Sequence, residues 1–220
     1  MCRSQKGFSL IELLVVVGVI ATLLAMGAAV VGGSRGESRQ AVKSLALGFL
    51  TNAQNEALTT GKPIAVVMVP YDAGREEHFG RAMAIFEVRQ DEVTGDYTAG
   101  EQRRRWTSLP GRYLFSKGAP ISTEGQNAFD QAPIVEVPYR GSEGAGELTF
   151  NASAIIFDGT GKVAWPNGSG ELELHFEEGV IQRGAVVGTS ASSATSIEEW
   201  QKREIIIIGR QTGRARILKF

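Results

Sequence analysis

Residues 8–31 hold one ionisable side chain, Glu12, in an otherwise uncharged and mostly apolar run. As an α-helix the run extends about 36 Å at about 1.5 Å per residue. That length crosses a hydrocarbon core of about 30 Å. Arg3 and Lys6 make the flank before it basic. Positive flanks stay on the cytoplasmic side, so the chain beyond Val31 is expected across the membrane. Glu12 is the anomaly, because an unpaired charge at this depth costs about 2.5–3.5 kcal/mol on insertion scales.

Three readings meet this pattern. A secretory signal peptide cut after a small-residue site such as Ala25-Met26-Gly27 is one, and a plain uncut anchor is another. Neither needs Glu12. A cut between Gly7 and Phe8 gives the carboxylate a task. Phe8 then carries a new ammonium group, and Glu12 becomes the fifth residue of the mature chain. A carboxylate one turn in is favourable near its own helix N-terminus. In a filament of packed helices it would meet the Phe8 amine of a neighbouring subunit. Pairing offsets desolvation and fixes the axial register.

Gly7, Phe8, Ser9, Leu10, Ile11 and Glu12 match, position by position, the start of the type IV prepilins. The stretch GFSLIELLVVVGVIATLLA resembles that N-terminus as a whole. The resemblance implies cleavage after Gly7 by a membrane prepilin peptidase and N-methylation of Phe8. It implies other pilins or pseudopilins, an inner-membrane assembly platform and membrane lipid as partners. It places the chain in a bacterial inner membrane, single-pass, with a periplasmic C-terminal domain. Many major pilins kink this helix with a Pro. Here Ala29 stands at the twenty-second mature position, and Gly18, Gly27, Gly32 and Gly33 are the weak points.

Beyond residue 31 the chain is long enough for one medium-sized domain. Its formal charge of −1 signals no general preference for nucleic acid. Loss of residues 1–7 leaves 21 basic and 24 acidic side chains, a charge of −3. Cys2 is the only cysteine, so the domain has neither a disulfide nor a thiolate cluster for zinc.

The expected organisation is a leader over 1–7, a membrane and assembly helix over 8–31, its amphipathic continuation over 32–62 and a β-rich domain over 63–220. A Gly-rich break, Gly32-Gly33-Ser34-Arg35-Gly36, marks the first internal boundary. Val42, Leu45, Phe49, Ala53 and Ala57 then recur at helical spacing and form one face. Gly61 and Pro63 stop the helix. PIAVVMVP, RAMAIFEVR and AIIFD read as strands. The alternation Glu171-Leu172-Glu173-Leu174-His175-Phe176 predicts a half-exposed strand. The last segment, IIIIGRQTGRARI, predicts a hairpin. Segments 118–132 and 184–196 read as surface loops. The fold class is α+β: a long N-terminal helix packed on a mostly antiparallel sheet.

Segments after the membrane run narrow the resemblance. NAQNEALTTGKPIAVVMV, AIIFDGTGKVAW and IIIIGRQTGRARI are similar to the helix end, mid-domain strand and closing hairpin of GspH- and FimT-type proteins. A pilin-like fold and a minor pseudopilin of a type II secretion system are what this implies. Residues 71–146 resemble nothing comparable.

For catalysis and cofactors the chain is poor. His78 and His175 are far apart in sequence and belong to no ligand cluster, so both read as structural or solvated. Gly159-Thr160-Gly161-Lys162 lacks the phosphate-loop spacing and precedes a strand, so it reads as a turn. Asn151-Ala152-Ser153 and Asn167-Gly168-Ser169 fit the glycosylation pattern, which carries little weight in a bacterial-type exported protein. The basic groups are Arg103-Arg104-Arg105 beside Trp106, and Arg210, Arg214 and Arg216 with Lys202 and Arg203 upstream. Gly213-Arg214-Ala215-Arg216 resembles the Gly-Arg-x-Arg pattern of FimT-like minor pilins that bind DNA. On a strand Arg214 and Arg216 share a face, about 7 Å apart, each able to reach a phosphate. The competing reading is solvated positions paired with Glu198, Glu199 or Glu204.

Overall fold

The computed structural model describes the chain outside residues 1–9, 72–78, 92, 132–134, 141–146, 183–184, 189–202 and 220. Gly7, Phe8, His78, Glu198, Glu199 and Lys202 therefore lie outside the described residues, as does the side chain of Glu12. The chain divides into two compact units, Met1–Gln40 and Ala41–Phe220. One helix, α1 (Leu10–Thr60), supplies described backbone to both.

In the first unit the Gly-rich segment 32–36 is helical, so the sequence break is not a break in the backbone. Val16, Val17, Val19 and Ile20 are each at least half exposed. Among the described residues no helix is long and apolar enough to cross a membrane.

In the second unit α1 buries Val42, Ala46, Phe49, Leu50, Ala53 and Ala57, and Leu45 packs beside them. This is the stripe that helical spacing predicts, widened by Ala46 and Leu50. Gly61 ends the helix in the left-handed region, at φ 68°, and donates its N–H to Ala57 O at 2.8 Å. Glycine adopts that conformation without steric cost, which lets the last turn keep a backbone acceptor satisfied.

The remaining elements are mostly strands. The first sheet contains β1 (Ile64–Met68), β2 (Ala82–Gln90), β3 (Tyr97–Ser108), β6 (Val135–Arg140), β7 (Glu147–Phe157) and β8 (Val163–Trp165). Because β1 pairs with both β2 and β7, the pairings run round a ring: β1, β2, β3, β6, β7 and back to β1. Only β3–β6 is parallel in that ring. The second sheet has the order β10 (Ala185–Gly188), β9 (Leu172–Gln182), β11 (Glu204–Ile208), β12 (Ala215–Ile217). Two short strands, β4 (Tyr113–Phe115) and β5 (Gln126–Asn127), also pair with β9.

Two hydrophobic clusters explain why the strand runs are continuously apolar. Successive side chains on a strand point to opposite faces. Ile64, Val66 and Met68 of β1 join the helix stripe, Met83, Ile85, Ile155, Phe157, Leu172, Leu174, Phe176, Ile206 and Ile208 in one core. Ala65 and Val67 join Ala84, Phe86, Val88, Val135, Val137, Ala152, Ala154 and Ile156 in the other. Strands buried on both faces lose the alternation that a half-exposed strand shows.

Two expectations need correction. The strand carrying Glu171 to Phe176 is not half-exposed: Glu173 and His175 are 1% and 0% exposed. His175 Nε2 lies 2.7 Å from Glu173 Oε2. The same carboxylate accepts the Ile121 N–H at 2.9 Å and the Ser122 N–H at 3.2 Å. His175 is thus interior, and polar alternation here marks a second buried face. The segment 118–132 is likewise more than a surface loop. It contains β5 and a 3₁₀ turn, Ala128–Asp130, and buries Asn127, Ala128 and Phe129. The Asn127 amide donates to Ser116 O and Gly118 O and accepts from the Phe129 N–H, so a polar residue can sit in the interior. The Phe129 ring lies 5.2 Å from Phe115 and 5.1 Å from Tyr71. Of segment 184–196, residues Ala185–Gly188 form β10, and 189–196 lie outside the described residues.

Burial pushes the Glu173 carboxyl up, but its bonds from His175, Ile121 and Ser122 outweigh this and hold it below the ordinary range. A depressed folded value stabilises fully above the unfolded carboxyl value of about 4.3 and is lost as pH falls through the folded value. Urea unfolding should therefore show an acid limb to which Glu173 contributes. Glu173→Gln should flatten that limb and cost about 1–3 kcal/mol at neutral pH, the range for disturbing a buried hydrogen-bonded group. An unchanged acid limb would show that the carboxylate is not ionised in the fold.

Candidate functional site

The closing hairpin forms as the sequence predicts. β11 and β12 pair antiparallel, with Ile206 opposite Ile217, Ile207 opposite Arg216 and Ile208 opposite Ala215. The Gly209 N–H donates to Arg214 O at 3.0 Å, and the Gly213 N–H to Gly209 O at 2.7 Å. Gly213 sits at φ 63°, where side-chain-bearing residues are strained. An added Cβ would also stand 2.0 Å from Gly161 O and 2.4 Å from Gln54 Nε2.

That contact is part of a junction of three turns. Gln54 of α1 donates from Nε2 to Gly161 O at 3.0 Å and to Thr212 O at 2.5 Å. A Cβ on Gly159 would stand 2.3 Å from Gly61 O. The helix end, the β7–β8 turn and the β11–β12 turn therefore meet at bare backbone. The β7–β8 turn is closed by Asp158, whose Oδ1 accepts from Thr160 N at 2.8 Å and Lys162 N at 3.1 Å. Gly159-Thr160-Gly161-Lys162 is the turn that the sequence implies.

The basic residues fall into different roles. Arg214 and Arg216, the candidate DNA contacts, are both exposed. Arg216 Nη2 lies 2.9 Å from Glu171 Oε1, so one guanidinium is already half engaged. The expected partner Glu204 instead bonds Lys43 of α1 at 2.9 Å. Arg210 is 8% exposed and acts as a clamp. Its Nε donates to Gly170 O at 2.6 Å, Nη1 to Pro166 O and Nη2 to Gln126 Oε1. Burial pulls this guanidinium below its ordinary value. Arg203 is buried as well.

The Arg103-Arg104-Arg105 run does not present three free cations. Arg103 bonds Glu87, with Glu56 at 3.3 Å and Glu101 at 3.1 Å. Glu87 also takes Lys62 at 2.8 Å. The bonds from Lys62 and then Arg103 hold its carboxyl below the ordinary range. The Arg104 guanidinium carbon stands 4.3 Å over the Phe49 ring, a cation–π contact. Arg105 is exposed. Among the described residues no three His, Cys, Asp or Glu side chains gather where they could hold a metal.

Sequence reading missed Gln54, the Arg210 clamp and the Glu173–His175 pair. The signal for the first two was present but indirect: two Gly-rich turns, each in a place where a helix end or a hairpin must approach closely. Gly213→Ala should cost about 2 kcal/mol or more, since both φ and the contact with Gly161 oppose it. Thermal unfolding of the variant measures this, and an unchanged midpoint would mean that the turns do not meet as described.

Residues 2–28 match the profile described as the prokaryotic N-terminal methylation motif. No curated protein matches the chain. Among solved structures, the type IV minor pilin FimU of Pseudomonas aeruginosa strain PAO1 is similar at 14% identity and a TM-score of 0.41. That match covers 84% of this chain and 91% of that one. The motif over residues 2–28, within which Gly7, Phe8 and Glu12 fall, marks the chain as prepilin-like.

Proposed function

We propose that the chain is a pilin-like structural subunit, a minor pseudopilin of the GspH/FimT type in the pseudopilus of a type II secretion system. The observation that carries this is the methylation motif over residues 2–28, set at the head of a helix that leads into a β domain. In this reading prepilin peptidase cuts after Gly7 and the Phe8 amine is methylated. The helix is held in the bacterial inner membrane and then passes into the filament through the assembly platform. The domain faces the periplasm. Glu12 pairs with the Phe8 amine of the next subunit, and this ion pair sets the axial register. No described group of side chains supports an enzyme. The assembly pair has a direct test. Glu12→Val should be inserted and cut normally, yet be lost from sheared or cross-linked filaments. Normal assembly of that variant would remove the pairing role.

A second reading has one observation in its favour. Arg214 and Arg216 are exposed at one hairpin, as a DNA-capturing minor pilin of a type IV pilus would need. Phosphate contacts release counterions, so such binding weakens steeply with salt. The protein should then shift duplex DNA at low salt, and Arg214→Ala with Arg216→Ala should abolish the shift. No shift at low salt would leave the structural reading alone.

A further inference from the structure

We propose that Asn167 is a site of spontaneous deamidation, driven by its neighbour Gly168 and by the Arg210 guanidinium. Asparagine is chemically labile, and its lability rises when the next residue has no Cβ to hinder ring closure. The chain has five asparagines. Asn52, Asn127 and Asn151 precede Ala, Asn55 precedes Glu, and Asn167 alone precedes Gly. Asn167 and Gly168 are exposed and lie between β8 and β9, outside regular structure. Among the described residues no hydrogen bond holds the Asn167 side chain.

Arg210 makes this turn unlike a generic exposed one. Its guanidinium binds Pro166 O before Asn167 and Gly170 O after it. A Cβ on Gly168 would stand 3.0 Å from Arg210 Nη2, so the cation lies against the Gly168 backbone. Its acceptors are all neutral, and among the described residues no carboxylate pairs with it. A nearby uncompensated positive charge favours the anionic form of an ionising group. Here the ionising group is the Gly168 backbone N–H.

The steps balance without any redox partner. The Gly168 N–H gives its proton to solvent base. The nitrogen attacks Asn167 Cγ, forming the N–Cγ bond of a cyclic imide. The Cγ–NH₂ bond breaks, and the nitrogen leaves as ammonia after taking up a proton from water. Water then opens the ring at either carbonyl, giving aspartate or isoaspartate. The net change is water consumed, ammonia released and one carboxylate gained beside the Arg210 guanidinium.

The test is peptide mapping of the full chain after incubation in mildly alkaline, oxygen-18-labelled water, folded and in urea. Label should enter the Asn167 peptide faster in the folded chain than in the unfolded one. Peptides of the other four asparagines should stay unlabelled in the folded chain, and Asn167→Ser should abolish the signal. Equal or slower labelling in the folded chain would overturn the proposal, because the clamp would then protect the turn. A glycan mass on Asn167 would overturn it too.

Discussion

Everything in the second unit rests on burying one set of strands twice. β1, β2 and β7 each present one face to the helix stripe and the second sheet, and the other face to the interior of the ring. The core under the helix is the larger of the two. Phe49 and its neighbours on α1 cover the outer faces of these strands, and burying each large apolar side chain is worth about 1.5–3 kcal/mol. Without the helix, Ile64, Val66, Met68, Ile155 and Phe157 would lose one wall of their core.

Close packing of that kind dictates where side chains must be missing. At the end of α1 the turns carrying Gly61, Gly159, Gly161 and Gly213 approach within backbone contact, and Gln54 bridges two of them. The exposed arginines of the closing hairpin are therefore mounted on a fixed turn. Several charges elsewhere are engaged within the fold. Arg103 with three carboxylates, Arg104 on Phe49, Arg210 on backbone carbonyls and Lys43 with Glu204 hold elements together.

Local signals were legible in the sequence wherever a single element determined them. The helix stripe from Val42 to Ala57, the Gly61 stop, the strands β1, β2 and β11 and the final hairpin emerge from spacing and turn residues. The illegible parts depend on partners distant in the chain. Glu173 and His175 alternate with leucines as solvent-facing residues do, yet both are buried, and Ile121 and Ser122 bond the Glu173 carboxylate. Asn127 looks like loop composition until its three hydrogen bonds are seen. Charge strings mislead for the same reason, since a run of arginines does not disclose which carboxylates fold back onto it. Gly7, Phe8 and Glu12 are the reverse case. Their motif is written in adjacent residues, and the role proposed for it acts between molecules.

The most direct test is therefore chemical: the intact mass and first residue of the protein purified from membranes. A chain beginning at N-methyl-Phe8 is the predicted result. It would place Glu12 one helical turn from a charged amine, ready to pair with the next subunit. A chain beginning near Ala28, or an uncut one, would contradict the prepilin reading and leave Glu12 without its partner.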